Sequence, residues 1–161
     1  MRSDYRPGRR TVILCVAASD SHVVANHLIA YLLRSRGFNV VNLGACTTVS
    51  DMCDALLRWP EAEAVLVGSL NGHARQDLAD LPAAKERGAI TCPVIVGGNL
   101  SVAVTDDISQ EAALYALGVD HILRDPSTIP TVLDQLRGRP DGEVTALSGA
   151  PRIEETVDGH R

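Results

Sequence analysis

TVILCVAASDSHVVANHLIAYLLRSRGFNVVNL, Thr11 to Leu43, joins an apolar run of strand length, a small polar knot, a helical pattern and a second apolar run. Thr11–Ala17 lacks the polar/apolar alternation of a half-exposed strand, so it reads as a strand covered on both faces. Val24, Leu28, Tyr31 and Leu32 fall on one face of the helix that follows, taken here as its apolar face, and Gly37 ends it. A strand, a helix and a strand in succession make a crossover unit, which places its two strands parallel.

The same rhythm continues through Ala64–Ser69, Pro93–Gly97 and Val119–Leu123, with Phe38–Leu43 as the second run. Thr48 and Asp51 form a capping pair ahead of Met52, Leu56 and Trp59. Pro82 opens a short helix that Gly88 closes. Asp107 or Ser109 starts another, carrying Ala113, Leu114 and Leu117, with Gly118 past its end. The last runs from about Ser127 to Arg137, with Ser127 or Thr128 near its cap. The pattern predicts a single α/β domain, a flavodoxin- or Rossmann-like doubly wound five-stranded parallel sheet. The expected strand order is 2-1-3-4-5, with a dinucleotide-type order second. Residues 1–10 form a basic N-terminal extension (Arg2, Arg6, Arg9, Arg10), and residues 11–137 the domain. Residues 138–161 carry Gly, Pro and charge without periodicity and read as a disordered tail.

A chain of 161 residues supports one domain with a substantial core. With 45% hydrophobic but only 3% aromatic residues, that core must be built from Val, Leu, Ile and Ala, which suits a buried parallel sheet. The net charge is −5 and no basic stripe is interleaved with aromatics, which argues against a nucleic-acid partner. The apolar runs are too short to span a bilayer and no cleavage-site pattern follows the basic start, so no membrane association and a cytoplasmic location are expected. Cys15, Cys46, Cys53 and Cys92 include no Cys-x-x-Cys pair and read as reduced, mostly buried residues.

In an open α/β sheet, ligands bind beyond the carboxyl ends of the strands, at the switch point beside strand one. Ser19-Asp20-Ser21-His22 lies there. A loop histidine can give one ring nitrogen to a metal, and an aspartate two residues earlier can hold the other. On spacing alone, a local hydrogen bond or a helix cap is the commoner use of such a pair. Two downstream stretches add weight to the metal reading. VGSLNG (Val67–Gly72) ends strand three on Gly68 and Ser69, where a bulky side chain would block a crevice. VIVGGN (Val94–Asn99) ends strand four on Gly97 and Gly98, which permit close backbone approach. The three strand ends outline an elongated slot with His22 at its mouth.

SDSHVVANHLIAYLLRSRGFNVVNLG, VLVGSLNG and VIVGGN together resemble the cobalamin-binding module of carbon-skeleton mutases, and are most similar to the small subunit of glutamate (methylaspartate) mutase. The signature of that family is Asp-x-His-x-x-Gly, then Ser-x-Leu, then Gly-Gly. Asp20, His22, Ser69, Leu70, Gly97 and Gly98 stand in the corresponding register, with 42 residues between Ala25 and Gly68 and 26 between Leu70 and Gly97. The similarity runs from about Thr11 to Leu136.

The resemblance implies adenosylcobalamin as cofactor, with its nucleotide tail drawn off the cobalt into the slot between strands one and three. His22 becomes the lower cobalt ligand and Asp20 hydrogen-bonds its far nitrogen, within a cofactor-binding loop that includes Ser19, Ser21 and Val23. Gly68, Ser69 and Leu70 line the slot, and Gly97, Gly98 and Asn99 lie against the tail. It further implies a radical rearrangement of glutamate to 3-methylaspartate. A larger barrel-type subunit would hold the small amino-acid substrate, so this chain alone would be inactive. Two positions depart from the signature: Ala25 replaces its last Gly and Gly68 its first Ser. A lost hydroxyl contact at position 68 costs about 1 kcal/mol, so binding is expected to weaken and not to vanish.

Competing readings are a cobalamin carrier or sensor without mutase activity, and a phosphoacceptor receiver of the same fold. Methyl carriers usually place a helical cap domain before the first strand, for which residues 1–10 leave no room. A receiver needs an Asp ending strand three and a Lys ending strand five, where this chain has Gly68-Ser69 and Arg124-Asp125. His27 and His73 read as solvent-exposed, and His121 as structural. Arg124–Thr128 lies on the edge that the tail would reach.

Overall fold

In a computed structural model, which describes residues 5–100 and 107–138, the five apolar runs form five strands. They are β1 (Thr11–Ala17), β2 (Asn39–Thr47), β3 (Ala62–Ser69), β4 (Val94–Gly98) and β5 (His121–Leu123). The helices are α1 (Val24–Ser35), α2 (Val49–Arg58), α3 (Ala74–Asp77), α4 (Leu81–Glu86), α5 (Asp107–Ala116) and α6 (Ile129–Arg137), with a 3-10 turn at Pro126–Thr128. All strand pairs are parallel and the order is β2-β1-β3-β4-β5, as expected from the sequence. The proposed tail, apart from Gly138, lies outside the described residues.

Successive strand residues point to opposite faces, so each run feeds two cores. Val12, Leu14, Leu66, Ile95 and Leu123 pack with Ala30 and Leu33 of α1 and Ile129 and Leu133 of α6. Ile13, Cys15, Val65, Val67 and Val96 pack on the other side with Met52 of α2, Leu81 of α4 and Leu114 of α5. Burial on both faces explains why these strands are continuously apolar.

The capping pair on α2 forms as expected: Asp51 N donates to Thr48 Oγ1 at 3.2 Å, and Thr48 N to Asp51 Oδ2 at 2.8 Å. Other expectations are corrected. β2 continues past Leu43 to Thr47 through register shifts, with Gly44 and Cys46 at positive φ. Thr128 does stand at the N-cap of α6, as expected, though without a side-chain hydrogen bond; Asp125 caps the preceding turn, accepting from Ser127 N at 2.9 Å. The largest correction concerns α1. Val24, Leu28 and Tyr31 are 74%, 66% and 75% exposed, while Asn26, Ala30 and Leu33 are buried. The helix is turned so that Ala30 and Leu33, with Ile29 beside them, pack against the sheet.

The described part of the basic extension is tied to the amino end of the sheet. Arg10 pairs with Glu63 (2.7 Å) and Asp134 (2.5 Å), and its guanidinium lies 4.8 Å from the centre of the Phe38 ring. Asn39 accepts from Arg6 N at 2.9 Å and donates to Arg6 O at 3.0 Å. Among the described residues, no helix is long and apolar enough to cross a membrane.

Candidate functional site

The chain leaves β1 in a turn closed by Asp20 N donating to Ala17 O at 2.9 Å. That turn buries Asp20 to 1% exposure. Its carboxylate receives three hydrogen bonds: Leu70 N at 2.5 Å on Oδ2, and His22 N at 2.9 Å and His22 Nδ1 at 2.6 Å on Oδ1. Burial opposes ionisation, but the bonds from Leu70 N, His22 N and the imidazole outweigh it and hold Asp20 below the usual carboxylate range. An ionised carboxylate only accepts, so the neutral His22 ring carries its proton on Nδ1 and keeps a lone pair on Nε2. The His22 side chain is 64% exposed. The result is an oriented imidazole donor at the carboxyl edge of the sheet.

Asp20 also ties three loops together. Its main-chain oxygen accepts from Cys46 N at 3.1 Å near the end of β2, and its side chain reaches Leu70 beyond β3. One residue earlier, Ser19 Oγ donates to Asp77 Oδ2 at 2.8 Å and its carbonyl accepts from Asn71 Nδ2 at 3.0 Å. The local hydrogen bond anticipated as the commoner use of the pair is therefore present, and it is what aims the histidine.

Beside His22 a cavity of about 240 Å³ lies on the sheet face beneath α1 and the start of α6. This is many times the ~30 Å³ share of one water, so it is no packing defect. Its floor is Leu14, Leu66 and Ile95, and its walls are Ala25, Asn26 and Ile29 of α1. Leu123, Arg124 and Pro126, with Ile129 of α6, close the far end. Of the residues expected from sequence, His22, Gly68, Ser69, Leu70, Gly97 and Gly98 line it. Ser19, Asp20, Ser21, Val23 and Asn99 do not; Asp20 and Ser19 act by holding the loop. The expected slot between strands one and three is wider, spanning β1, β3, β4 and β5.

The two glycines of β4 turn out to serve the sheet first. Gly98 has φ +120°, and a Cβ there would stand 2.1 Å from Ser69 O; one on Gly97 would stand 3.2 Å from Leu123 O. At Gly68 a Cβ would meet only Cys15 O at 3.7 Å, so a serine would fit and nothing steric explains that departure. Cys15 borders the cavity, but burial, with the charge of Asp51, pushes its thiol up to about 12, so it is inert. None of the four cysteines is in a disulfide, as read from the sequence, although Cys46 is exposed. His27 and His73 are exposed and His121 is half-buried in β5, where it has an interaction partner.

Among the described residues, no group of three or more His, Cys, Asp or Glu side chains could hold a metal ion. A lone oriented imidazole beside an apolar cavity suits a metal whose other ligands arrive with it in a macrocycle. The α1 wall was missed in the sequence, where Asn26, Ile29, Ala30 and Leu33 spell the buried face at helical spacing.

No protein-family model matches the chain. It is 36% identical over 137 residues to glutamate mutase sigma subunit 1 of Haloarcula marismortui, covering 85% of this chain and 89% of that protein. It is 35% identical to the glutamate mutase sigma subunit of Halobacterium salinarum, covering 79% and 85%. A solved cobalamin-binding protein from Desulfitobacterium hafniense has TM-score 0.66 at 18% identity, covering 80% of this chain and 60% of that one, and so shares the fold. On the sequence relatives, the chain belongs to the glutamate mutase sigma subunit family.

Proposed function

We propose that this chain is the cobalamin-binding subunit of an adenosylcobalamin-dependent mutase that converts glutamate to 3-methylaspartate together with a larger, barrel-type subunit. The observation that carries the reading is the buried, ionised Asp20 holding an exposed His22 at the mouth of an apolar cavity. His22 Nε2 would ligate the cobalt, and Asp20 would fix the ring and raise its basicity. The cavity under α1 and α6 would take the nucleotide tail, with its apolar floor excluding water. Ser19, Asn71 and Asp77 would hold the histidine loop against the loop beyond β3. When bound, the cofactor supplies radical chemistry through homolysis of its cobalt–carbon bond. The amino-acid substrate would sit mainly on the partner, and the chain would act in the cytoplasm.

Purified protein is expected to retain adenosylcobalamin through gel filtration, with the spectrum of a base-off, histidine-ligated corrinoid. His22→Ala should lose the histidine signature; identical spectra for the two proteins would sink the ligand assignment. Glutamate turnover is expected only when the larger subunit is added. Ala25 and Gly68, the departures from the family signature, favour a second reading as a cobalamin-binding module without mutase activity. Cofactor retention without turnover beside a verified partner would select that reading.

A further inference from the structure

Two buried side-chain atoms among the described residues lack a hydrogen-bond partner: Arg10 Nη2 and Asn26 Nδ2. The first stands 2.7 Å from Glu63 Oε1 and is ion-paired. The second is on a cavity-lining residue only 4% exposed, and has nothing. Its polarity can be read off a chain of amides. Gly44 N, which can only donate, gives its hydrogen to Asn42 Oδ1 at 2.9 Å. That leaves Asn42 Nδ2 as the donor to Asn26 Oδ1 at 2.6 Å. Asn26 is therefore fixed with its carbonyl toward β2 and its NH2 left over. A buried amide donor without an acceptor is destabilising, so a ligand acceptor is the expected partner.

We propose that Asn26 donates a hydrogen bond to the lower base of a cobamide, to the ring nitrogen that is freed when the base leaves the cobalt. This rests on the cobalamin reading above and adds a selectivity to it: the cavity prefers lower bases with an acceptor nitrogen. The other lining side chains are poorer candidates. Cys15 Sγ donates to Leu66 O at 3.6 Å, Ser69 Oγ is within 3.4 Å of Asn71 Oδ1, and Arg124 is paired with Glu111. Gly68 supplies no side chain at all. Asn42 is absent from the lining and acts as a positioning residue through Asn26.

The test compares affinities for two cobamides, one with a benzimidazole lower base and one with a phenolic base that offers no ring nitrogen. Wild type should prefer the benzimidazole form. Asn26→Ala should lose about tenfold for it, the worth of one buried hydrogen bond, and change little for the phenolic form. Asn42→Asp leaves the cavity lining untouched but offers Asn26 an acceptor. The Asn26 amide should turn over, putting its oxygen toward the cavity and lowering benzimidazole preference as Asn26→Ala does. Equal losses for both cobamides, or no loss for either, would overturn the assignment while leaving cobalamin binding intact. Failure of wild type to bind either cobamide would remove the cobalamin reading itself, and this proposal with it.

Discussion

The two ends of the sheet treat polar groups in opposite ways. At the amino end, Arg10 pairs with Glu63 and Asp134, the Asn39 side chain bonds to Arg6 and Thr11, and Tyr5 lies tilted against Trp59 with ring centroids 5.1 Å apart. At the carboxyl end, loops are short of bulk, His22 faces outward and Asn26 holds an unused donor over a cavity. One end is closed on itself; the other keeps an open cavity and an unpartnered donor. The contrast follows from the parallel sheet, which gathers the loops after every strand on a single edge.

This contrast can be broken by mutation. The largest effect is expected from Gly98→Ala, which would force a Cβ against Ser69 O at a backbone angle that side chains rarely adopt. Loss of on the order of 3 kcal/mol is expected, read as a lower urea midpoint with unchanged slope. Asp20→Ala strands the N–H groups of Leu70 and His22 and should cost about 2 kcal/mol, with loss of histidine ligation to added corrinoid.

The same residue predicts a pH response. Because the folded-state pKa of Asp20 is depressed, its contribution is fully present above the unfolded carboxyl value of about 3.9. It is lost as pH falls through the lower folded value. Urea midpoints measured from about pH 4 downward should therefore separate wild type from Asp20→Asn by a gap that narrows as pH falls. A gap that widens on acidification would contradict the assignment.

Smaller effects sharpen the comparison. Asn39→Ala should cost about 1.5 kcal/mol through its lost bonds at the amino end and leave corrinoid affinity unchanged. A drop in affinity would show that the two ends are coupled. Leu28→Ser, on the outward face of α1, should move stability by no more than about 0.5 kcal/mol by thermal or urea denaturation.

Strand order, most helix positions and the Asp20–His22 pair were legible because each rests on local pattern: continuous apolar runs, capping residues, and two side chains two positions apart. The orientation of α1 was not. Two faces of α1 carry apolar residues at helical spacing: Val24, Leu28 and Tyr31 are exposed, while Ala30 and Leu33 are buried with Asn26. Hydrophobic spacing alone did not choose between the two faces; the packing of Ala30 and Leu33 into the sheet core did.

What the sequence by itself determined is the doubly wound sheet and the edge on which its chemistry lies, since periodicity and turn residues act over a few positions. It also carried the histidine and its aspartate, which lie close in the chain. Only the tertiary structure decided that Asp20 is buried under Leu70 N, that the glycines of β4 answer to Ser69 and Leu123, and that Gly44 and Asn42 polarise Asn26. Those contacts join residues up to 50 positions apart, and a hydrogen bond's direction is set by whichever partner the fold brings near.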